Sequence, residues 1–255
     1  MIRVIIAVCM FVITGVNLAV TEEITIAAAS DLNFAFREIV TEYEKTTGNH
    51  VRLTLGSSGN FFTQIQNGAP FDLYFSADIA YPRKLEEAGL TVPGSLYQYA
   101  VGRIVMWTGK EAHLDLSKGL EILGEPTIRK IAIANPKHAP YGRAAVAAME
   151  YAKVYDRVKD KLVLGENISQ AAQFVESGAA DVGIIALSLA LAQPMQAVGH
   201  YWEIPVDVYP PIEQGAVILM GGKNQESAKA FLSFIQGAEG QTMMKRYGFV
   251  VPSPR

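Results

Sequence analysis

The chain has 255 residues, half of them hydrophobic and 18% charged, with 22 Lys and Arg against 25 Asp and Glu. That balance describes a folded protein large enough for two lobes and excludes a disordered one. No basic run of the kind that grips nucleic acid is present, and the mature part has no cysteine for disulfide or thiol chemistry.

The N-terminus, MIRVIIAVCMFVITGVNLAV, has one Arg, an apolar run from Val4 to Ile13 and then small residues. This is the pattern of a secretory signal peptide, expected over residues 1–21, and the run is too short for a full membrane span. Cys9, the single cysteine, falls inside it. Without Arg3, 21 basic residues face the 25 acidic ones, so a net-negative protein that binds an anion must do so through local dipoles.

From Glu23 onward, short apolar strands alternate with helical patterns, which predicts a parallel-rich α/β architecture. Four times a strand runs into a loop of Ser, Gly, Asn or Pro with a helix directly behind it: Ile24–Phe36, Val51–Ile65, Lys130–Met149 and Lys161–Val175. Each junction leaves the first N–H groups of a helix unpaired at the positive end of its dipole, a natural anion site. Such junctions lie at the carboxyl ends of the strands, where open α/β sheets bind ligands.

In the first half, Leu32, Phe36, Ile39, Val40 and Tyr43 fall on one helical face that Thr47-Gly48 ends. DLYFSA (Asp72–Ala77) reads as a strand and Tyr81–Ala88 as a short helix. YAVGRIVMW (starting near Tyr97) reads as one apolar strand leaving the first lobe for the second. The second lobe is expected to hold the strands IAIAN, LVL and DVGIIA, with helices over Gly142–Tyr155 and Ile168–Glu176. Val206–Gly215 has paired prolines and no periodicity, a return hinge, before the strand Ala216–Met220 and the helix Ser227–Gln236 rejoin the first lobe. The expected division is residues 22–100 plus 217–255 for lobe I and 101–216 for lobe II. Two crossings make a hinged clamp.

At the junctions, Ser30 and Asp31 are N-cap types that equally offer a hydroxyl and backbone N–H groups to an oxyanion. Asp31 is expected to turn its carboxylate away and its N–H inward. Ser57, Ser58 and Gly59 supply uncharged donors and close backbone approach. Tyr141 opens the third helix, as hinge packing or ligand contact; at Ile168 only the backbone N–H can bind. Lys137 and His138 are either anion-steering or solvated loop residues, Asp78 is a structural carboxylate, and Trp202, Met243 and Met244 are core. Metal-binding motifs, the phosphate-binding P-loop and the dinucleotide fingerprint are absent. A serine hydrolase using Ser58 is disfavoured, because His50, His113, His138 and His200 all lie at unhelpful spacings and GSSGN is not G-x-S-x-G.

AAASDL after the first strand, GSSGN followed by QNGAPFDLYFSAD (ending at Asp78), Pro136–Gly142 and KRYGF (Lys245–Phe249) together resemble the periplasmic molybdate-binding proteins of ABC transporters, over nearly the whole mature chain. The resemblance implies a two-lobed, type II periplasmic binding protein, not an enzyme. It would be a monomer without cofactor, molybdenum entering only as the bound oxyanion. The implied ligand set is Ser30, Asp31, Ser58, Tyr141 and Ile168, serving molybdate and tungstate ahead of an inner-membrane permease. Another oxyanion (sulfate, chromate or phosphate) is the alternative. Many relatives carry a ligand-binding Tyr where this chain has Ala186, so the Tyr141 hydroxyl is expected to replace that donor.

Overall fold

The computed structural model describes residues 23–252; the expected signal peptide lies outside them. Two five-stranded sheets, each with its own helices, organise the chain. In the first, β1 (Glu23–Ala29) runs parallel to β2 (His50–Gly56) and β3 (Leu73–Ser76). Between these strands come α1 (Asn33–Thr47), α2 (Ser58–Gln66) and, after β3, α3 (Ala80–Glu87). The apolar face of α1 buries Phe36, Ile39 and Tyr43. Phe36 meets Phe75 and Phe231, and Tyr43 meets Phe231, edge to face at ring separations of 4.9–6.1 Å. Gly48, at φ +75°, ends the helix in the left-handed conformation that glycine adopts without strain.

The stretch read as one strand from Tyr97 is two: β4 (Tyr97–Gly102) and β5 (Ile104–Gly109), which belong to different sheets. Apolar residues continue through the break, so periodicity alone hides it; Arg103 is the crossing. The second sheet adds β6 (Ile131–Ala134), α4 (Pro140–Tyr151), α5 (Tyr155–Val158), β7 (Leu162–Gly165), α6 (Ile168–Glu176) and β8 (Val182–Ala186). It closes with α7 (Leu187–Ala190), α8 (Gln193–Val198) and β9 (Gly199–Glu203). Here β6 is parallel to β7 and β8, while β5 is antiparallel to β8 and β9.

The chain returns over residues 204–211 into β10 (Ile212–Ile218), followed by α9 (Gln225–Gln236) and α10 (Ala238–Arg246). β10 is antiparallel to β3 and β4, with a bulge at Gln214/Gly215 and with Ile212 opposite Gly102. The non-periodic segment read as hinge is therefore already strand from Ile212, its alternation broken by the bulge. Residues 101–102 and 212–216 accordingly pair within the first sheet.

The two strand orders, β2-β1-β3-β10-β4 and β7-β6-β8-β5-β9, follow one plan. Each has a parallel trio with an antiparallel strand beside it that has just crossed over from the other unit. Both trios point their carboxyl ends at one cleft.

Candidate functional site

The cleft is lined by the start of all four junctions: Ser30 and Asp31, Ser57 and Ser58, Pro140 and Tyr141, Asn167 and Ile168. Its cavity volume is about 10 Å³, far below the ~300–1,000 Å³ typical of sites for drug-sized molecules. Only a small ligand fits.

Each junction leaves a specific donor unused. Pro140, the first residue of α4, has no N–H, and Ala139's carbonyl accepts from Gly142 and Arg143 at 3.0 and 3.2 Å. The Tyr141 N–H between them has no acceptor among the described residues. In α6, the Asn167 side chain accepts from Gln170 N–H at 3.1 Å and its carbonyl from Ala171 N–H at 3.2 Å. Ser169 N–H donates to Ser30 Oγ at 3.3 Å. That accounts for the first turn of α6 except for the Ile168 N–H. All three helix starts, those of α2, α4 and α6, direct positive dipole ends at the space.

The two serines are oriented in the same sense. Ser58 Oγ accepts from Ala77 N–H at 2.9 Å, while its carbonyl accepts from the Tyr74 hydroxyl at 2.7 Å. Ser30 Oγ accepts from Ser169 N–H. Each hydroxyl thus accepts from the protein, and its own proton has no protein acceptor among the described residues. Ser30 and Ser58 are 3% and 1% exposed, so those protons face the cleft or nothing.

Asp31 is buried, and Oδ2 accepts from the Tyr141 hydroxyl and from Gln214 Nε2, both at 2.9 Å. Gln214 Nε2 also donates to the Tyr141 oxygen at 2.8 Å. Burial pushes the Asp31 carboxyl up to about 6, against the weaker lowering effect of these two bonds. Burial, with the Asp31 charge second, lifts Tyr141 well above the usual phenol range. Gly102 makes room for this triad, since a Cβ there would lie 2.2 Å from the Tyr141 oxygen. The Tyr141 hydroxyl, expected to replace a donor missing at Ala186, gives its proton to Asp31 instead. Here the hydroxyl is engaged by a buried carboxyl group. Ala186, fully buried, caps the short α7.

Further bonds cross between the units. The Ser188 hydroxyl donates to the Asp31 carbonyl at 2.7 Å and the Ser169 hydroxyl to the Ser30 carbonyl at 2.8 Å. Gly59 N–H and Ser57 Oγ both reach the His138 carbonyl, at 2.9 and 2.7 Å. Asn60 Nδ2 donates to Glu166 at 2.5 Å, and Arg143 pairs with Asp78. A Cβ on Gly59 would sit 2.8 Å from the His138 carbonyl oxygen, so only glycine permits this approach.

His138 thus takes part in a contact between the units, whereas Lys137 is exposed. Ser57 Oγ is 2.8 Å from His138 Nδ1, and His138 Nε2 is 3.9 Å from Glu166. This looks like a nucleophile, base and acid. However, Ser57 also bonds the carbonyl of the same histidine, and 3.9 Å exceeds a hydrogen bond. Ser58 has no histidine partner among its bonds.

Gln214, Ser169, Ser188 and the Asn60–Glu166 pair escaped the sequence reading. Each lies far along the chain from its partner, by 183 residues for Gln214 and Asp31, and although Asn60 ends GSSGN, nothing near it in sequence points to Glu166. Among the described residues, no group of three or more His, Cys, Asp or Glu is placed to hold a metal ion, and no helix is long and apolar enough to cross a membrane.

Residues 24–250 match the family described as bacterial extracellular solute-binding protein. The chain is 40% identical to the molybdate-binding protein ModA of Azotobacter vinelandii, over 89% of each chain. It is 39% identical to that of Rhodobacter capsulatus, over 91% of this chain and 90% of that one. The solved periplasmic molybdate-binding protein of Azotobacter vinelandii superposes with a TM-score of 0.84 at 32% identity, covering 90% of this chain and all of the other. The match to the family along nearly the whole described chain, with two sheets built alike around one cleft, places this chain among the bacterial extracellular solute-binding proteins.

Proposed function

We propose that this protein captures molybdate, and tungstate with it, in the periplasm and delivers it to an ABC permease. The observation that carries the reading is a small cleft offering hydroxyl and N–H donors from Ser30, Ser58, Tyr141 and Ile168, in a chain 40% identical to a molybdate-binding protein. Molybdate and tungstate are fully deprotonated dianions near neutral pH and only accept hydrogen bonds. Four converging donors suit them, whereas protonated phosphate would turn an O–H towards one of those donors. Sulfate meets the same chemical test and is rejected by size, since a smaller ion engages the donors poorly.

The two units act as lobes that hinge at Arg103 and across residues 204–211, and the bonds between them belong to the closed form. The protein works as a monomer and turns nothing over. The Asp31 side chain supports the site from behind while the ion takes donors from both lobes.

A thermal-shift panel tests the reading. Molybdate at about a thousand times its Kd should stabilise the protein by roughly 4 kcal/mol without added cation. An equal or larger shift with sulfate at matched concentration would overturn the molybdate assignment in favour of another oxyanion. Turnover of ester substrates, lost in Ser58→Ala, would instead favour the hydrolase.

A further inference from the structure

A buried carboxylate in a pocket for a dianion poses an electrostatic problem. Asp31 lines the cleft and is 1% exposed. The two side-chain donors that reach its carboxyl, the Tyr141 hydroxyl and Gln214 Nε2, converge on Oδ2. Oδ1 is buried and has no hydrogen-bond partner among the described residues. Four elements pack around the residue and bring no positive charge to it. Tyr141 comes from α4, Gln214 from β10, Ser188 from α7 and Tyr99 from β4. The two titratable groups, Tyr141 and Tyr99, are held well above the usual phenol range by burial and by Asp31 itself, so they stay neutral. No Lys or Arg bonds Asp31 among the described residues.

An ionised Asp31 would therefore sit buried beside a bound dianion with one oxygen lacking a protein partner, and the like charges would oppose binding. We propose that Asp31 is a neutral carboxylic acid in the closed, anion-loaded protein, with its proton on Oδ1, so that capture of the ion takes up a proton. The inference rests on the molybdate reading of the same cleft. Asp31 acts as a positioning residue: through Oδ2 it holds Tyr141, and with it the start of α4, against the cleft.

The pH window follows from two states. In the open form Tyr141 and Ser188 move away with the second lobe and water reaches the carboxyl, which returns towards its ordinary value of 3.8. Closed, it is raised to about 6 by burial even without ligand, and a dianion beside it moves the upper limit higher. A group raised in the closed form favours closure at low pH, and that advantage is lost as pH rises through the closed value. Affinity should thus fall with rising pH, by up to about tenfold per unit inside the window.

Calorimetry of molybdate binding, at pH 5.5 and pH 8 in buffers with different heats of protonation, reads the proton directly. Between about half and one proton should be taken up per ion at pH 5.5, with weaker binding at pH 8. Asp31→Asn, which keeps an acceptor for Tyr141 and removes the titration, should abolish the uptake and bind more tightly than the parent at pH 8. His138→Gln should retain the uptake. Molybdate binding without proton uptake at pH 5.5 overturns the inference and leaves the functional reading standing. So does uptake that survives Asp31→Asn, or that disappears in His138→Gln alone. No molybdate binding at either pH overturns both.

Discussion

The two units share a strand plan yet furnish the cleft differently. The first offers side-chain hydroxyls, Ser30 and Ser58, each fixed by accepting a backbone N–H. The second offers backbone N–H groups, those of Tyr141 and Ile168, whose side chains are engaged elsewhere. The Tyr141 hydroxyl bonds Asp31, and Ile168 packs into the second core. Helix starts create donors in both cases, but in the second unit the donor is independent of the side chain that bears it. The first half of the site is therefore open to side-chain substitution, and the second half is protected from it except through backbone geometry.

The largest effect should come from blocking the approach of the units. Gly59→Val places a branched Cβ against the His138 carbonyl and the Tyr81 hydroxyl, 2.8 and 2.9 Å from the ideal Cβ. Overpacking of this kind costs about 3 kcal/mol at its upper range, more than a hundredfold in Kd. Solution scattering should show the variant failing to compact with molybdate; normal compaction and affinity would mean that this contact does not belong to the closed form.

Ser30→Ala and Ser58→Ala come next and test the hydroxyl half directly. A hydrogen bond to a charged group contributes roughly 1.5–3 kcal/mol, about 10- to 150-fold in Kd. Calorimetry showing both variants binding like the parent would remove the serines from the site.

Tyr141→Phe should weaken binding less, by about 1 kcal/mol or roughly fivefold, because it deletes a support for the closed form and no ligand contact. The support acts in the closed form, where Asp31 and Gln214 each lose a buried partner. A loss of tenfold or more in affinity would put the hydroxyl on the ligand after all.

The smallest effect sharpens the contrast most. Ile168→Val retains the N–H and most of the apolar contact, so Kd should stay within about twofold even if stability falls by ~1 kcal/mol. A tenfold change would show that the side chain shapes the pocket and that the second unit is not protected.

The sequence by itself determined the alternation of strands and helices, the positions of the four junctions and the residues that open each helix. These depend on neighbours a few places apart: Asn167 caps α6 through Gln170, Pro140 starts α4, and Gly48 ends α1. Local periodicity misread two places, the strand broken at Arg103 and the bulged strand from Ile212, since what separates or pairs those residues is a distant partner. Only the tertiary structure decided how the Tyr141 hydroxyl is used. Gln214 and Asp31, 183 residues apart, meet it in a buried space that Gly102 leaves open. A buried carboxylate with one unpartnered oxygen is a property of that packing, because solvation depends on everything folded around a group and no stretch of sequence encodes it alone.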